Sequence, residues 1–273
     1  MIVRRLSLTD FRNYAVAEFE LDPGITVVTG GNGQGKTNLV EALAWLATLD
    51  SFRGAPTDVL VRDGAECAVV RAEVVHGDGR EVLIEAEIPR RGRHRVHVNR
   101  QRLARTRDLL GVLRVSVFAP DDLGLVKGQP SERRRFLDDV LVTLQPKHDA
   151  RRSELDRILR QRTTLLKQAG GRVTTEIELT LDVWDAKLAT VGEQIGRARA
   201  ALVTELEPLV AKAYADVAGT AADVHLTYDP PWRRVGLAEA LATGRMEDVR
   251  RQLCLVGPHR DDHETRHAPY SST

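Results

Sequence analysis

The chain has 273 residues, 42% of them hydrophobic, which is enough for one large domain or two smaller ones with real cores. Its 40 basic and 39 acidic residues give a formal net charge of +1. The chain as a whole is therefore not basic enough to attract nucleic acid, and any such contact would have to come from local basic patches. Cys67 and Cys254 lie far apart and outside metal-binding spacing, and no apolar run approaches the roughly 18 residues of a membrane helix, so we expect a cytoplasmic protein without a membrane partner.

The first hundred residues alternate as β-strands do. The fully apolar run at 25–28 enters a glycine turn, which predicts a buried central strand. From Gly35 to Asp50 the spacing of apolar residues predicts an amphipathic helix. The turn from His76 to Gly79 predicts that the strands on either side of it are antiparallel. Strand patterns lie at residues 2–8, 16–21, 25–28, 68–75, 81–88 and 95–98, and a further apolar strand is predicted at 115–118.

The strongest periodicity lies between residues 147 and 217, where apolar residues recur in steps of three and four as a heptad seam. Gly170 and Gly171 interrupt the pattern and predict an antiparallel helical hairpin, a short coiled-coil arm on the globular body. Two ordinary bundle helices packed on the sheet are the alternative. A strand after Asp223 and a short helix at 237–241 follow. The seam consists of Ile177, Leu181, Trp184, Leu188, Val191, Ile195, Ala198, Leu202, Leu206, Leu209 and Ala213.

A phosphate-binding loop follows the apolar run at 25–28 and precedes the first helical pattern. Its glycines let successive backbone amides point at phosphate oxygens beside a helix N-terminus. Lys36 would reach the β and γ phosphates of ATP, and Thr37 would place its hydroxyl on Mg²⁺. The alternative is a flexible glycine turn that happens to contain these residues. The match to G-x-x-x-x-G-K-[ST] consists of Gly30, Gly31, Asn32, Gly33, Gln34, Gly35, Lys36 and Thr37.

Several further motifs stand in a recognisable order. They are Leu8-Thr9-Asp10-Phe11-Arg12-Asn13-Tyr14, Asn32-Gly33-Gln34-Gly35-Lys36-Thr37-Asn38, Ser51-Phe52-Arg53, Val117-Phe118-Ala119-Pro120-Asp121-Asp122-Leu123, Val126-Lys127-Gly128-Gln129-Pro130-Ser131-Glu132-Arg133-Arg134-Arg135-Phe136-Leu137-Asp138, and Val256-Gly257-Pro258-His259-Arg260-Asp261-Asp262. Together they resemble the RecF family of bacterial DNA replication and repair proteins, from residue 1 to about residue 262.

The resemblance implies an α/β fold: an ABC/SMC-like P-loop ATPase head with a mixed sheet containing antiparallel strands, plus a helical-hairpin arm. It divides the chain into a head at 1–128, an arm at 129–220, a return to the head at 221–262 and an atypical tail at 263–273. It also implies ATP-dependent homodimerisation, binding to single-stranded or gapped duplex DNA, action with RecO-type and RecR-type proteins at gaps, and support of the SOS response.

The resemblance also extends the nucleotide site. Asn38 belongs to the loop motif, Arg53 matches an arginine near the nucleotide and DNA, and Arg12 matches a basic residue that approaches the phosphates. For both arginines a plain surface role is the alternative. Asp121 lies where related ATPases help to hold Mg²⁺, and a helix N-cap is its alternative. Three consecutive arginines at 133–135 could form a solvated helix face or contact DNA or a second head.

A second basic cluster, at 90–107, carries few acidic residues and could follow a phosphate backbone without reading bases. Within it, the candidate DNA contacts are Arg91, Arg93, Arg95 and Arg102. No aromatic residue interrupts the cluster, so it offers no platform for stacking single-stranded bases.

Residues 263–273 lack the family's character, and about a quarter of a usual member is not present in the sequence, including the Walker B strand and the signature motif. From this we expect a truncated or frameshifted reading frame, very slow or no ATP hydrolysis with no assignable catalytic residue, and apolar surface exposed beside the loop. A P-loop kinase, a nucleotide-triggered protein-interaction module without DNA contact, and a nonfunctional remnant are the alternatives.

Overall fold

A computed structural model describes residues 1–119, 122, 124–219, 224–262 and 264–267, the last four by their backbone alone. The chain forms two compact units, Met1–Ala119 and Pro120–Thr273. Among the described residues, no helix is both long and apolar enough to cross a bilayer. The divisions proposed from the sequence at 128, 220 and 262 stay predictions.

The first unit is built on an antiparallel sheet of six strands in the order β2-β1-β3-β4-β5-β6. Its buried face carries alternate residues, such as Leu6 and Leu8 on β1 and Val70 on β3, and these join one apolar core with Trp45 and Leu46 of α1. The elements are β1 (Ile2–Phe11), β2 (Tyr14–Glu20), α1 (Lys36–Thr48), α2 (Thr57–Leu60), β3 (Cys67–Val75), β4 (Glu81–Pro89), β5 (Arg95–Val98), β6 (Gln101–Arg102) and a 3-10 turn (Thr106–Leu109).

The sequence predicted five of these strands and helix α1. The antiparallel pairing of β3 with β4 across the turn at 76–79 is confirmed. The buried strand predicted at 25–28 is wrong for this structure: no described strand pairs with the segment, and Ile25 and Val27 are 94% and 75% exposed. The strand predicted at 115–118 is also wrong, since these residues have no regular structure and Phe118 is 90% exposed. An apolar segment forms a strand only where a neighbouring strand can pair with its backbone N–H and C=O groups.

The second unit is helical. The hairpin predicted at 147–217 is confirmed as α5 and α6, joined through Gly170, which ends α5 with a left-handed φ of 56°. The two helices are antiparallel, because Leu166 near the end of α5 packs with Leu181 near the start of α6. The elements are α3 (Gly124–Lys127), α4 (Pro130–Leu144), α5 (Lys147–Ala169), α6 (Thr175–Ala218), β7 (Val224–Thr227), α7 (Trp232–Val235), α8 (Leu237–Arg251) and β8 (Glu264–His267), with β7 and β8 paired antiparallel.

The heptad seam is only partly a two-helix contact. Leu188 and Ile195 of α6 pack against α5 and also against Leu237 and Leu241 of α8, so the hairpin belongs to a helical bundle. Beyond Leu206 the prediction is wrong, because Leu209 is 63% exposed and packs in no described core. Helix α8 extends the predicted short helix at 237–241 by ten residues.

Candidate nucleotide-binding site

The glycine loop at residues 30–35 leads directly into α1. Gly35 caps the helix with a left-handed φ of 100°, and a Cβ at this position would lie only 2.5 Å from Oδ1 of Asn13. Gly30 also has a positive φ, of 149°. A side chain at either position would be strained, so glycine is needed for the backbone to turn through residues 30–35 into the N-terminus of α1.

The cationic group of the loop lies over its backbone. Nζ of Lys36 donates to the carbonyl oxygens of Gly30 at 2.8 Å and Gly31 at 2.7 Å. The amide of Gly31 donates to Oε1 of Gln34 at 2.9 Å. Thr37 is exposed on the first turn of α1. The ammonium, the amides and the hydroxyl that a nucleoside triphosphate with Mg²⁺ requires therefore lie at one accessible loop.

A buried carboxylate that the sequence did not reveal organises the residues beside this loop. Glu41 of α1 is fully buried and accepts from Arg12 at 2.8 and 2.6 Å and from Oγ of Ser51 at 2.5 Å. Nη1 of Arg53 lies 3.7 Å from the same carboxylate and donates to Asn38 at 3.1 Å. Glu41 stands within an apolar helical stretch, and only the three-dimensional arrangement shows what it pairs with.

The structure brings Arg12, Asn38 and Arg53 together. They line one open cleft of about 560 Å³, whose other lining residues are Asn13, Asp58, Val59, Val61, Asp63 and Arg90. Arg12 is mostly enclosed, with its side chain 13% exposed, whereas the side chain of Arg53 is 45% exposed. Arg53 is therefore the more accessible of the two arginines for an anion.

The metal prediction concerns Thr37 and Asp121. Asp121 lies outside the described residues. Within the described part of the chain, no group of three or more His, Cys, Asp or Glu side chains is arranged to hold a metal ion. Thr37 stands where a cation bound to the phosphates of a nucleotide could be met by its hydroxyl.

The candidate DNA patch lies in the first unit, on the chain between β4 and β6. Arg91, Arg93 and Arg102 are exposed, and Arg95 on β5 is exposed beside Glu87 at 3.3 Å. Arg90 differs from them, because its guanidinium donates to the carbonyl oxygens of residues 62 and 65 and holds the loop in place.

The three arginines at 133–135 make contacts within the second unit. Arg133 forms two hydrogen bonds with Asp262, at 2.8 and 2.7 Å, and Arg134 donates to the backbone oxygen of Asp261 at 2.5 Å. Arg135 lies 3.7 Å from Asp139. Two of the three side chains thus join α4 to the segment at 261–262, which lies far along the chain and belongs to a different sequence motif.

A second buried carboxylate, Asp261, was also not foreseen from the sequence. It accepts from the Tyr228 hydroxyl and from Nε1 of Trp232 at 2.6 Å, and Arg199 lies 3.8 Å away. Burial raises the pKa of Asp261, and burial likewise raises the pKa of Tyr228. Arg199 also forms two hydrogen bonds of 2.8 Å with Asp138 of α4. These contacts fix the segment that carries the last family motif onto α4 and α6.

The loop and the fold define a P-loop nucleotide-binding protein of the SMC type. Residues 2–131 match the RecF/RecN/SMC N-terminal domain model. The curated protein "DNA replication and repair protein RecF" of Kineococcus radiotolerans is 46% identical over 287 residues, covering 96% of this chain and 72% of the relative. Its namesake from Streptomyces avermitilis is 45% identical, with 96% and 74% covered. The chain belongs to the RecF family of DNA replication and repair proteins.

Solved structures agree with this assignment. A structure of the recombination mediator protein RecF-ATPrS in the RecFOR pathway superposes with a TM-score of 0.90 at 26% identity, covering 97% of this chain and 73% of that one. An Smc head domain with an extended coiled coil from Pyrococcus furiosus shares the fold, with a TM-score of 0.52 at 18% identity. The predicted fold class is confirmed, and family membership disfavours the kinase alternative.

Proposed function

We propose that this chain binds ATP with Mg²⁺ at the glycine loop and couples binding to DNA in recombinational repair. The observation that supports this most directly is the geometry of residues 30–37, where the Lys36 ammonium lies on the loop backbone and the glycine loop ends at the N-terminus of α1. The backbone amides and Lys36 would hold the β and γ phosphates, and Thr37 would reach the metal. The metal neutralises phosphate charge when bound. Arg53 and Asn38 would border the same nucleotide, and Asp121 is proposed as a second metal contact.

Equilibrium titration with a fluorescent ATP analogue and Mg²⁺ tests the nucleotide site. Lys36→Ala should weaken binding at least tenfold, because the phosphates lose their one loop cation. Lys167→Ala is the matched control, since this exposed lysine lies on α5 in the other unit, and it should bind as the wild type does. Equal affinity of the wild type and Lys36→Ala for the ATP analogue would show that the loop is not the nucleotide site.

The proposed DNA interface is the exposed basic patch of Arg91, Arg93, Arg95 and Arg102. Changing the first three to Ala should weaken binding to gapped DNA. It should also flatten the salt dependence, by roughly 0.7–0.9 in log–log slope for each phosphate that the variant no longer neutralises. Arg157, Arg160 and Arg172 are exposed on the helical hairpin, so their triple Ala variant changes the net charge equally and serves as the control. An unchanged salt slope in the patch variant would exclude the patch.

The proposed setting is cytoplasmic, at single-strand gaps, with RecO-type and RecR-type partners and support of the SOS response. The similarity to a mediator in the RecFOR pathway supports this proposal. An ATP-dependent homodimer is proposed as well. Sedimentation of the chain with gapped DNA and each purified partner, with and without MgATP, tests the partner interactions and the homodimer. With MgATP we expect co-sedimentation with the partners and a doubled mass of the chain. A chain that stays monomeric and binds neither partner would contradict both proposals.

A further inference from the structure

Glu41 is the most enclosed charged group of the first unit. Its side chain has no exposed surface, yet its two carboxylate oxygens accept three hydrogen bonds, two from Arg12 and one from Ser51, and Nη1 of Arg53 forms an ion pair with them at 3.7 Å. A buried carboxylate costs several kcal/mol unless it is paired and fully hydrogen-bonded. The free energy of folding therefore favours the arrangement of loops that brings these donors to Glu41.

The partner that makes two hydrogen bonds to Glu41, Arg12, has a backbone that needs such support. Its φ is 55°, in the left-handed region, as is the φ of 48° at Asp10. A non-glycine residue in this region is strained and persists where surrounding contacts over-determine it. The guanidinium supplies those contacts, because its Nε and Nη2 bind Glu41 and its Nη1 donates to the oxygen of Val59 at 3.2 Å.

The next residue carries this restraint to the phosphate loop. Nδ2 of Asn13 donates to the backbone oxygen of Gln34 at 3.1 Å, and its Oδ1 accepts from Asn38 at 2.8 Å. Asn13 also lies so close to Gly35 that a Cβ there would collide with it. The path from Glu41 through Arg12 and Asn13 to the loop backbone is therefore continuous.

We propose that Glu41 is a positioning residue for the nucleotide site: it holds the strained turn at Arg12, and so seats Asn13 against the loop in its phosphate-binding shape. The proposal rests on ATP binding at residues 30–37. The side chain of Glu41 has no exposed surface, so it acts only through the residues it holds.

The test is a double-mutant cycle on MgATP affinity. Glu41→Gln keeps the shape but turns an acceptor toward Arg12 into a donor, and should weaken MgATP binding about tenfold. Asn13→Ala, at a surface position, should weaken it by a similar factor. If Glu41 and Asn13 act through the same chain of contacts, the double variant should bind MgATP no more weakly than the single variant with the lower affinity. Multiplied losses in the double variant would overturn the proposal.

Two controls separate positioning from simple loss of stability. Leu46→Ala removes a fully buried side chain of α1 outside the path, so it should lower the melting temperature without nucleotide yet keep the wild-type affinity. Glu85→Gln breaks an ion pair with Arg71 on the sheet and should change neither. An affinity loss in Leu46→Ala equal to that in Glu41→Gln would show that stability alone is involved.

If Glu41→Gln does not fold, Arg12→Lys replaces it in the cycle, since lysine keeps the charge and loses the two-point contact. It should also weaken MgATP binding, without adding to Asn13→Ala. Unchanged affinity in Arg12→Lys would overturn the proposal. Failure of the wild-type chain to bind MgATP would instead refute the nucleotide site itself, so the two failures are distinguishable.

Discussion

Replacing Arg162 should lower the free energy of unfolding of the helical unit more than replacing any surface residue. Arg162 is fully buried in α5, and its guanidinium donates to Asp185 of α6 at 2.6 Å and to Asp248 of α8 at 2.5 Å. It also lies 3.3 Å from the sulfur of Cys254. One side chain thus joins three helices and the segment after them through charge-assisted hydrogen bonds.

The magnitude follows from what Arg162→Met leaves behind. Asp185 keeps Arg245, whose guanidinium lies 2.8 Å away, but Asp248, with a side chain 1% exposed, loses its cation. Breaking a buried pair in this way costs about 3–5 kcal/mol. Two features favour the lower value: Nη2 of Arg162 is buried without a hydrogen bond, and burial already raises the pKa of Asp248, so that carboxyl can be protonated instead. We expect a cost of about 3 kcal/mol.

Urea unfolding at pH 7, followed by far-UV circular dichroism, measures this loss. Arg162→Met with Asp248→Leu should recover much of it, because no charge is then left unpaired in the core. Glu247→Gln is the control: Glu247 pairs with Arg250 on the surface of α8, where solvent screens the pair, so this variant should unfold at the wild-type urea concentration. A loss below about 1 kcal/mol for Arg162→Met, or a double variant less stable than the single one, would refute the reasoning.

Three further predictions concern stability, measured by urea unfolding. Burial lowers the pKa of His259 to about 4 from its ordinary 6.5, so the folded state binds fewer protons than the unfolded state. The free energy of unfolding should therefore fall by about 2–3 kcal/mol from pH 6.5 to 4, and His259→Gln should reduce that fall; an identical pH profile would contradict this. Gly196→Ala should cost about 1–3 kcal/mol because its Cβ would overlap the Trp232 ring, and no loss would mean that the ring moves freely. Thr174→Ala should cost about 1 kcal/mol by removing the cap that accepts from the amide of Ile177, and Thr174→Ser should restore it.

Local chemistry made much of the first unit predictable. The alternation of β1 and β3 and the turn at 76–79 are short-range patterns, and so are the glycine loop and α1. The failures at 25–28 and 115–118 concern apolar segments that no described strand pairs with. A sequence window records the composition of a strand and not the identity of its neighbour, so such errors are expected.

The same limit applies to the candidate site. The loop residues could be predicted from their spacing, whereas the roles of Glu41 and Asp261 could not, because each carboxylate binds partners that are distant in sequence. Arg12 stands 29 residues before Glu41, and Tyr228 stands 33 before Asp261. The heptad seam shows the related limit: it predicted the α5–α6 hairpin, but the bundle contact of Leu237 with α6 is non-local.

The central claim is that the backbone at residues 30–38 holds the phosphates of ATP. Hydrogen–deuterium exchange of the wild-type chain with and without MgATP tests it at the amides concerned. Exchange should slow across residues 30–38 on adding MgATP, and Lys36→Ala should lose that protection at the same nucleotide concentration. Protection confined to other segments, or undiminished protection in Lys36→Ala, would contradict the account.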